Sequence, residues 1–502
     1  MDFKNIKNKK ELEAFKRKQG GMPASNISLL KEYHKLNKKR NPFIENLLIT
    51  RKVRSLSGVT IVSVLTKPYN CPGKCLFCPE EKGMPKSYYS SEPAVMRAVA
   101  CNFDPYLQTK TRLKALKATG HPTDKIELII LGGTWSFLNK KYQSYFITQC
   151  FSAANNSKKE ETLKKAQKKN ETAKQRIVGI TVETRPDFID EKEIIRMRKL
   201  GITRVEIGVQ SIYNDVLKKN KRGHTIKEII KATYLLKKAG FKVCYHLMPN
   251  LLGSDLKKDE KMFQEIFKNP DFQPDLLKIY PCALLKEAPL YKLWQKKKYQ
   301  PYTEKQLINL LIKIKKNIPL YCRIQRLVRD IPSYQIIKGP AKISNLRQIL
   351  QKKVKCSCIR CREVKENYNP KENLFLYTLE YKASKGKEIF LSYENKNRDK
   401  LYSLLRLRIP FEKDHFIPAL KNAALIREVH TFGKVNPLLE KNYKLSSQHK
   451  GLGKKLIRKA EKIAKENNFE KIAVISGIGV RKYYKKLGYE LKNTYMIKSL
   501  KP

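Results

Sequence analysis

The chain has 502 residues, room for about three domains at roughly 150 residues each. With 41% hydrophobic residues it can bury sizeable cores, which excludes wholesale disorder. Its 106 Lys and Arg against 46 Asp and Glu leave a formal charge of +60, which suits RNA, DNA or an anionic membrane, although a Lys-rich proteome accounts for part of the same excess.

No run of ~18 apolar residues occurs, so no membrane-spanning helix is expected. The opening stretch, Met1-Asp2-Phe3-Lys4-Asn5-Ile6-Lys7, lacks an apolar signal core, which points to a cytoplasmic protein. There are 11 cysteines, an odd number, and six of them fall into two tight groups. Metal binding in a reducing compartment fits that better than a disulfide framework.

Residues 1–45 hold 12 Lys and Arg against 5 Asp and Glu, so residues 1–50 form a basic, partly helical N-terminal segment. From residue 59 short β-rich runs alternate with amphipathic helices. The strands fall at Val59–Leu65, Ile126–Leu131, Ile177–Val182, Arg204–Val209, Lys242–Leu247, Leu276–Tyr280 and Arg323–Leu327. Helices lie between them at Glu191–Leu200, Ile226–Ala239 and Glu304–Asn317, with Gly201 and Gly240 placed as C-terminal caps. Lys158 to Arg176 is rich in Lys, Glu, Gln and Asn and reads as an exposed helix or a mobile insertion.

Strand–helix alternation with apolar strands predicts parallel βα units, hence a doubly wound sheet or a barrel. Gly132-Gly133-Thr134, Glu183-Thr184-Arg185, Gln210-Ser211, His246 and Tyr280-Pro281 all fall at the carboxyl ends of strands, where barrel enzymes place their sites. The barrel pattern spans residues 51–338. A connector at 339–372 carries the second cysteine group. A second α/β domain at 373–502 has strands near Phe375–Tyr381, Glu388–Tyr393, Ser403–Arg408, Ala424–Phe432 and Lys471–Ser476, and helices at Leu452–Glu466 and Val480–Lys486.

Cys71-Pro72-Gly73-Lys74-Cys75-Leu76-Phe77-Cys78 has the spacing C-x3-C-x2-C, with an aromatic before the last cysteine. Three thiolates so placed can hold three irons of a [4Fe–4S] cluster and leave the fourth iron open to S-adenosylmethionine. A zinc site lacking its fourth ligand is the blander alternative. Gly132, Gly133 and Thr134 let the backbone approach the methionine moiety. Glu206 and Gln210 alternate along a strand, where cofactor contact and structural hydrogen bonding are both open.

In the second domain Gln448-His449-Lys450-Gly451-Leu452-Gly453 opens a helix, whose exposed N–H groups suit a pyrophosphate. The preceding strand, Arg427 to Phe432, offers main-chain groups to a pantetheine arm. Tyr483-Tyr484 follow on a helix before Gly488-Tyr489, in the order of the GCN5-related N-acetyltransferases. Neighbouring helix residues point about 100° apart, so one tyrosine reaches a departing CoA thiolate while the other packs. In the connector, Cys356, Cys358 and Cys361 suit a zinc ion whose fourth ligand is open, Cys322 being one candidate.

The pairing of these two domains resembles the Elongator catalytic-subunit family in its compact archaeal or bacterial form. The likeness runs from about Arg51 to the C-terminus. Its segments include Arg54-Ser55-Leu56-Ser57-Gly58, Asp104 to Thr109, Thr181 to Asp187, Glu206 to Ser211, Arg222-Gly223-His224-Thr225, Arg329-Asp330-Ile331-Pro332, Leu404 to Arg408 and Ala473 to Gly477. The fold so implied is a radical-SAM partial (βα) TIM-like barrel followed by a GCN5-related N-acetyltransferase α/β domain.

The activity so implied is a reaction at carbon 5 of the wobble uridine, position 34 of the tRNA anticodon. A 5′-deoxyadenosyl radical takes a hydrogen from the acetyl methyl of acetyl-CoA, the carbon radical adds to the base, and loss of CoA with water leaves 5-carboxymethyluridine. By the same resemblance Cys71, Cys75 and Cys78 are cluster ligands, while Lys125, Val429, His430, Thr431, Phe432, Gly453, Lys454, Lys455 and Tyr484 are acetyl-CoA contacts. The basic N-terminal segment and the barrel surface hold the anticodon stem-loop, with the target base splayed out. An electron donor is required, and a homodimer is allowed.

The family often has Pro-Gly-Gly after the last cluster cysteine, where this chain has Pro79-Glu80-Glu81, and Val480 and Lys482 replace a frequent Thr and Asn. Two other readings stay open. One is a protein lysine acetyltransferase with the barrel as scaffold; the other is a non-catalytic RNA-binding metalloprotein.

Overall fold

The apolar runs pair as their patterning requires. In the computed structural model, described for residues 55–433 apart from 158, 160, 161 and 367, for 451–501, and before residue 55 for 3, 6, 8–17, 25–36 and 41–50, sixteen strands are assigned. These are β1 (Thr60–Leu65), β2 (Lys125–Leu131), β3 (Arg176–Thr184), β4 (Arg204–Gln210), β5 (Lys242–Leu247), β6 (Leu276–Ile279), β7 (Leu284–Leu285) and β8 (Arg323–Arg326). They continue with β9 (Ile336–Lys338), β10 (Phe375–Lys382), β11 (Gly386–Glu394) and β12 (Leu401–Pro410). The last four are β13 (Ala423–Thr431), β14 (Lys471–Val474), β15 (Glu490–Lys492) and β16 (Tyr495–Ser499).

Strands β1-β2-β3-β4-β5-β6-β8 pair in that order, every pair parallel. Side chains alternate between faces of a strand. On β2, Ile126, Leu128 and Ile130 are buried, while Glu127, Ile129 and Leu131 line an interior cavity. Helices cover the apolar face. Glu191–Leu200 is capped by the Asp190 carboxylate and closed by Gly201 at φ 90°, and Ile226–Lys238 is opened by a Thr225–Glu228 capping box.

Within the Lys158–Arg176 stretch, residues 162–176 are anchored more firmly than their composition suggests. Thr162 caps a helix over Leu163–Asn170. The buried Asn170 amide then donates to Asn155 at 2.7 Å and to the Gln175 carbonyl at 3.1 Å, while its oxygen accepts from the Ile177 N–H at 2.8 Å. Buried Glu171 pairs with Arg481 of the second domain at 3.2 Å. A few well-satisfied polar groups thus fix a segment that has little apolar surface of its own.

The second sheet runs β10-β11-β12-β13-β14-β16-β15, and only β13 and β14 pair in parallel. Strands β15 and β16, not anticipated from sequence, close its edge. Two glycines let this domain press on the barrel: a side chain at Gly477 would strike the Val178 carbonyl, and a Cβ at Gly479 would stand 2.9 Å from the Ile177 carbonyl. The N-terminal helices Lys9–Arg17, Asn26–Leu36 and Pro42–Leu48 share a small core of their own around Leu12, Leu29, Tyr33, Ile44 and Leu48. Among the described residues no helix is long and apolar enough to cross a membrane.

Candidate functional site

The first cysteine group sits on the loop that leaves β1. Main-chain bonds fix that loop: Leu76 N–H donates to the Asn220 carbonyl at 3.2 Å, and Leu290 N–H donates to that of Leu76 at 2.8 Å. Gly73 lies between two thiols, since a Cβ there would be 3.5 Å from Cys75 Sγ and 3.6 Å from Cys71 Sγ. Arg222 donates to Cys75 Sγ at 3.2 Å and to the Gly208 carbonyl at 2.5 Å. Arg185 is held by Asp187 through bonds of 3.0 and 2.8 Å, with its remaining terminal nitrogen turned toward Gly73. A hydrogen bond from Cys78 does most to lower the Cys75 thiol pKa; burial opposes it, and Arg222 and Arg185 reinforce it. Cationic surroundings of this kind favour thiolate ligands.

These residues fit an anionic iron–sulfur cluster. All three thiols line one cavity, with Arg222 on Cys75 and Arg185 beside Gly73 to offset the charge of thiolate ligands.

Beside the loop, β2 ends in Gly132 at φ 128° and Gly133 at φ 93°, both left-handed. A Cβ on Gly132 would strike the Thr66 hydroxyl, so the approach of this turn to the loop requires glycine. Thr134 and Gln210 also line the cavity, and the Gln210 Oε1 is buried with no hydrogen-bond partner. Glu206 behaves differently: it is fully buried, pairs with Lys278, and accepts from His246 at 3.0 Å.

The cavity, about 830 Å³, is continuous through the barrel. Cys71, Cys75 and Cys78 line it at the carboxyl end of the strands, and Glu428, His430 and Phe432 of the second domain line it at the opposite end. Its wall carries alternating charge that composition alone could not arrange. Glu127 pairs with Arg204, Lys242 with Glu428 at 3.3 Å, and Arg406 with Glu428 at 2.9 Å.

In the second domain β13 leaves its parallel neighbour after Ile426. Among the described residues, the strand pairing of Val429 to Thr431 is with β12. Gly451 at φ 75° opens the helix Leu452–Glu466, with Lys454 and Lys455 exposed on its first turn. The two tyrosines separate as helix geometry requires. The Tyr483 hydroxyl would lie 3.3 Å from a Cβ on Gly453, a position also 3.7 Å from Val429 and 3.9 Å from Thr431. Tyr484 is buried, stacked edge-on against Tyr489 with ring centroids 5.8 Å apart. Burial raises the pKa of both phenols and keeps them protonated.

Lys125 starts β2 at the amino end of the barrel, two residues before Glu127 and on the same face. Burial lowers the pKa of its ammonium. His430 reaches the same end, with its Nε2 2.6 Å from the Ser57 carbonyl oxygen. Gln448 lies outside the described residues. In the connector, hydrogen bonds from Cys356 and Cys361 lower the Cys358 thiol pKa, while Cys322 is buried nearby but outside their 4.8 Å group.

Three family models match in chain order: the Radical SAM superfamily at residues 66–266, the Radical_SAM C-terminal domain at 274–355, and the Acetyltransferase (GNAT) family at 446–489. The chain is 48% identical over 476 residues to the tRNA uridine(34) acetyltransferase of Methanocaldococcus jannaschii, covering 90% of this chain and 87% of that one. It is 37% identical to human Elongator complex protein 3, with 90% and 86% covered. The solved archaeal Methanocaldococcus infernus Elp3 with an N-terminal deletion is 43% identical, covers 89% of this chain and 100% of that one, and superposes with a TM-score of 0.76. The chain belongs to the Elongator catalytic-subunit family.

The fold is accordingly α/β, a radical-SAM partial barrel followed by a GNAT domain. The Radical SAM match implies a [4Fe–4S] cluster and S-adenosylmethionine, and the GNAT match implies acetyl-CoA. Within this family site, sequence reasoning missed Arg204, Lys242 and Lys278. A charged residue at alternate strand positions reads as solvent-facing unless the strand is known to curl around a polar interior.

Proposed function

We infer that this protein modifies the wobble uridine, position 34, of tRNA, joining the acetyl carbon of acetyl-CoA to carbon 5 to give 5-carboxymethyluridine. The observation that carries this is the single cavity running from the cysteine loop to Glu428, His430 and Phe432 of the second domain. When bound, the cluster and S-adenosylmethionine supply a 5′-deoxyadenosyl radical that takes a hydrogen atom from the acetyl methyl. The rest falls to the chain's own residues.

Cys71, Cys75 and Cys78 hold the cluster; Gly132, Gly133, Thr134 and Gln210 seat the cofactor beside it, with Glu206 fixing the wall. Val429, His430, Thr431 and Phe432 present the pantetheine arm, and Gln448, Gly451, Gly453, Lys454 and Lys455 receive the pyrophosphate. Lys125 steadies the acetyl-CoA from the barrel side. Tyr483, beside Gly453, donates a proton to the departing CoA sulfur, while Tyr484, expected as an acetyl-CoA contact, packs against Tyr489 in the core.

The division into a tRNA-binding segment (1–50), barrel (51–338), connector (339–372) and GNAT domain (373–502) follows from this reading. So do an external electron donor, a cytoplasmic location and a possible homodimer. The Cys356, Cys358 and Cys361 group is assigned to a structural zinc ion, a reading supported by three donors close enough to share one metal.

Anaerobic reconstitution with tRNA, S-adenosylmethionine and acetyl-CoA tests the function. The expected product is a nucleoside heavier by a carboxymethyl group that disappears in Cys75→Ala. An unchanged product in that variant would exclude the radical route, and acetylated protein without modified nucleoside would favour an acetyltransferase with the barrel as scaffold.

A further inference from the structure

Resting on the reading above, one chemical step still needs a residue: water must cleave the thioester after the acetyl carbon has joined the base. The cavity wall offers a group with that capability. His246 stands near the carboxyl end of β5, its side chain 13% exposed toward the cavity, and its Nε2 lies 3.0 Å from Glu206 Oε2. Tyr280 braces the ring edge-on, with centroids 5.5 Å apart.

Glu206 cannot drift from that position. It is fully buried, Lys278 pairs with the same carboxylate oxygen, and Arg204 Nε lies 3.6 Å from the other. Burial pushes the Glu206 carboxyl pKa up, but Lys278, His246 and Arg204 outweigh it and keep the group ionised. An ionised carboxylate accepts only, so His246 donates through Nε2–H and its Nδ1 carries the lone pair. A buried carboxylate that fixes the tautomer of an imidazole facing a reaction chamber is the arrangement of a general base. Glu206, Cys244 and His246 could also be read as metal donors. The Lys278 ammonium already stands against the shared carboxylate, so a second cation there would meet an uncompensated like charge.

We propose that His246 is the acid–base group for hydrolysis of the uridine-linked CoA thioester, with Glu206 as its positioning residue and Lys278 holding Glu206 in place. The His246 Nδ1 takes a proton from water as the water oxygen bonds to the thioester carbonyl carbon. The carbon–sulfur bond then breaks, and the imidazolium returns the proton to the CoA sulfur directly or through Tyr483. The products are CoA thiol and a carboxylic acid that releases its own proton at neutral pH. No oxidant or reductant is consumed in this step.

The test uses the full-length holoprotein with tRNA, S-adenosylmethionine and acetyl-CoA, followed by mass analysis of intact tRNA and of nucleosides. His246→Gln should lower carboxymethyluridine formation by about a hundredfold and accumulate tRNA that still carries the CoA thioester. His246→Gly with added imidazole should release that adduct as carboxymethyluridine, which a merely structural histidine would not allow. Melting temperature and iron content report folding and cluster loading independently of turnover. Parental product levels in His246→Gln would overturn the assignment. So would absence of both adduct and product at parental iron content, because the histidine would then act before the carbon–carbon bond forms. If the parent protein itself made no modified nucleoside, the underlying function would fail, a result distinct from either of those.

Discussion

The two ends of the barrel do different work with the same kinds of residue. At the amino end, charges meet opposite charges. Arg427 is fully buried, 2.5 Å from Asp275 and 2.7 Å from Glu388, and Glu388 also accepts from Arg408 at 2.9 Å. At the carboxyl end, arginines stand beside thiols that line the cavity. The first arrangement locks β13 onto the barrel; the second sets cations around sulfur ligands. The difference teaches that burial of charge alone does not mark a site; what the charge stands beside does.

The largest effect expected from this contrast is at the amino end. Asp275→Asn removes the buried carboxylate that Arg427, Lys237 and Arg406 share, leaving Arg427 only Glu388, and should cost about 3–5 kcal/mol, measured by urea unfolding. A loss below about 1 kcal/mol would mean that the ion network does not hold the domains together.

Acid should attack the same end next. His415 accepts from the Ile417 N–H at 2.8 Å through Nδ1, and its Nε2–H donates to the Lys238 carbonyl at 3.0 Å across the domain junction. Burial, chiefly, pushes its pKa down from 6.5 to about 4. The folded protein therefore prefers the neutral ring: the full stability is present above pH 6.5 and is lost as pH falls toward 4, by about 3 kcal/mol. A stability profile across that window should flatten in His415→Gln. An unchanged acid limb would place the titrating group elsewhere.

At the acetyl-CoA groove, Tyr483→Phe should slow CoA release by about a hundredfold, and Tyr484→Phe should do less. The reverse order would show that the core-packed tyrosine, not the one facing Gly453, supplies the proton. The smallest effect belongs to the connector. A chelator that strips the Cys356, Cys358 and Cys361 metal should lower the melting temperature by a few degrees while four-iron absorbance persists. Parallel loss of iron from the protein would indicate an iron–sulfur centre there instead.

Much of this architecture was legible in the sequence. The barrel strands announced themselves as short β-rich runs alternating with helices, and their ends fall within one or two residues of those expected. The cysteine spacing was equally readable, because ligand geometry constrains neighbours along the chain. Strand β15, with three exposed residues, offers no apolar signal, and β16 was hidden behind it. The interior ladder of Glu127, Arg204, Glu206, Lys242 and Lys278 was hidden for a different reason. Each charge is compensated by a residue on another strand, and pairing at such separation leaves no trace in local pattern. The same reason explains why cofactor contact and structural hydrogen bonding both stayed open for Glu206 before its partners His246 and Lys278 were visible.

The central claim is that the radical centre and the thioester meet in one chamber. Acetyl-CoA carrying a trideuterated methyl group, supplied with tRNA and S-adenosylmethionine under anaerobic conditions, tests it most directly. The account predicts 5′-deoxyadenosine that has gained one deuterium, alongside carboxymethyluridine that retains two. Unlabelled 5′-deoxyadenosine accompanying the same nucleoside would contradict it, since the hydrogen would then have come from somewhere other than the acetyl methyl.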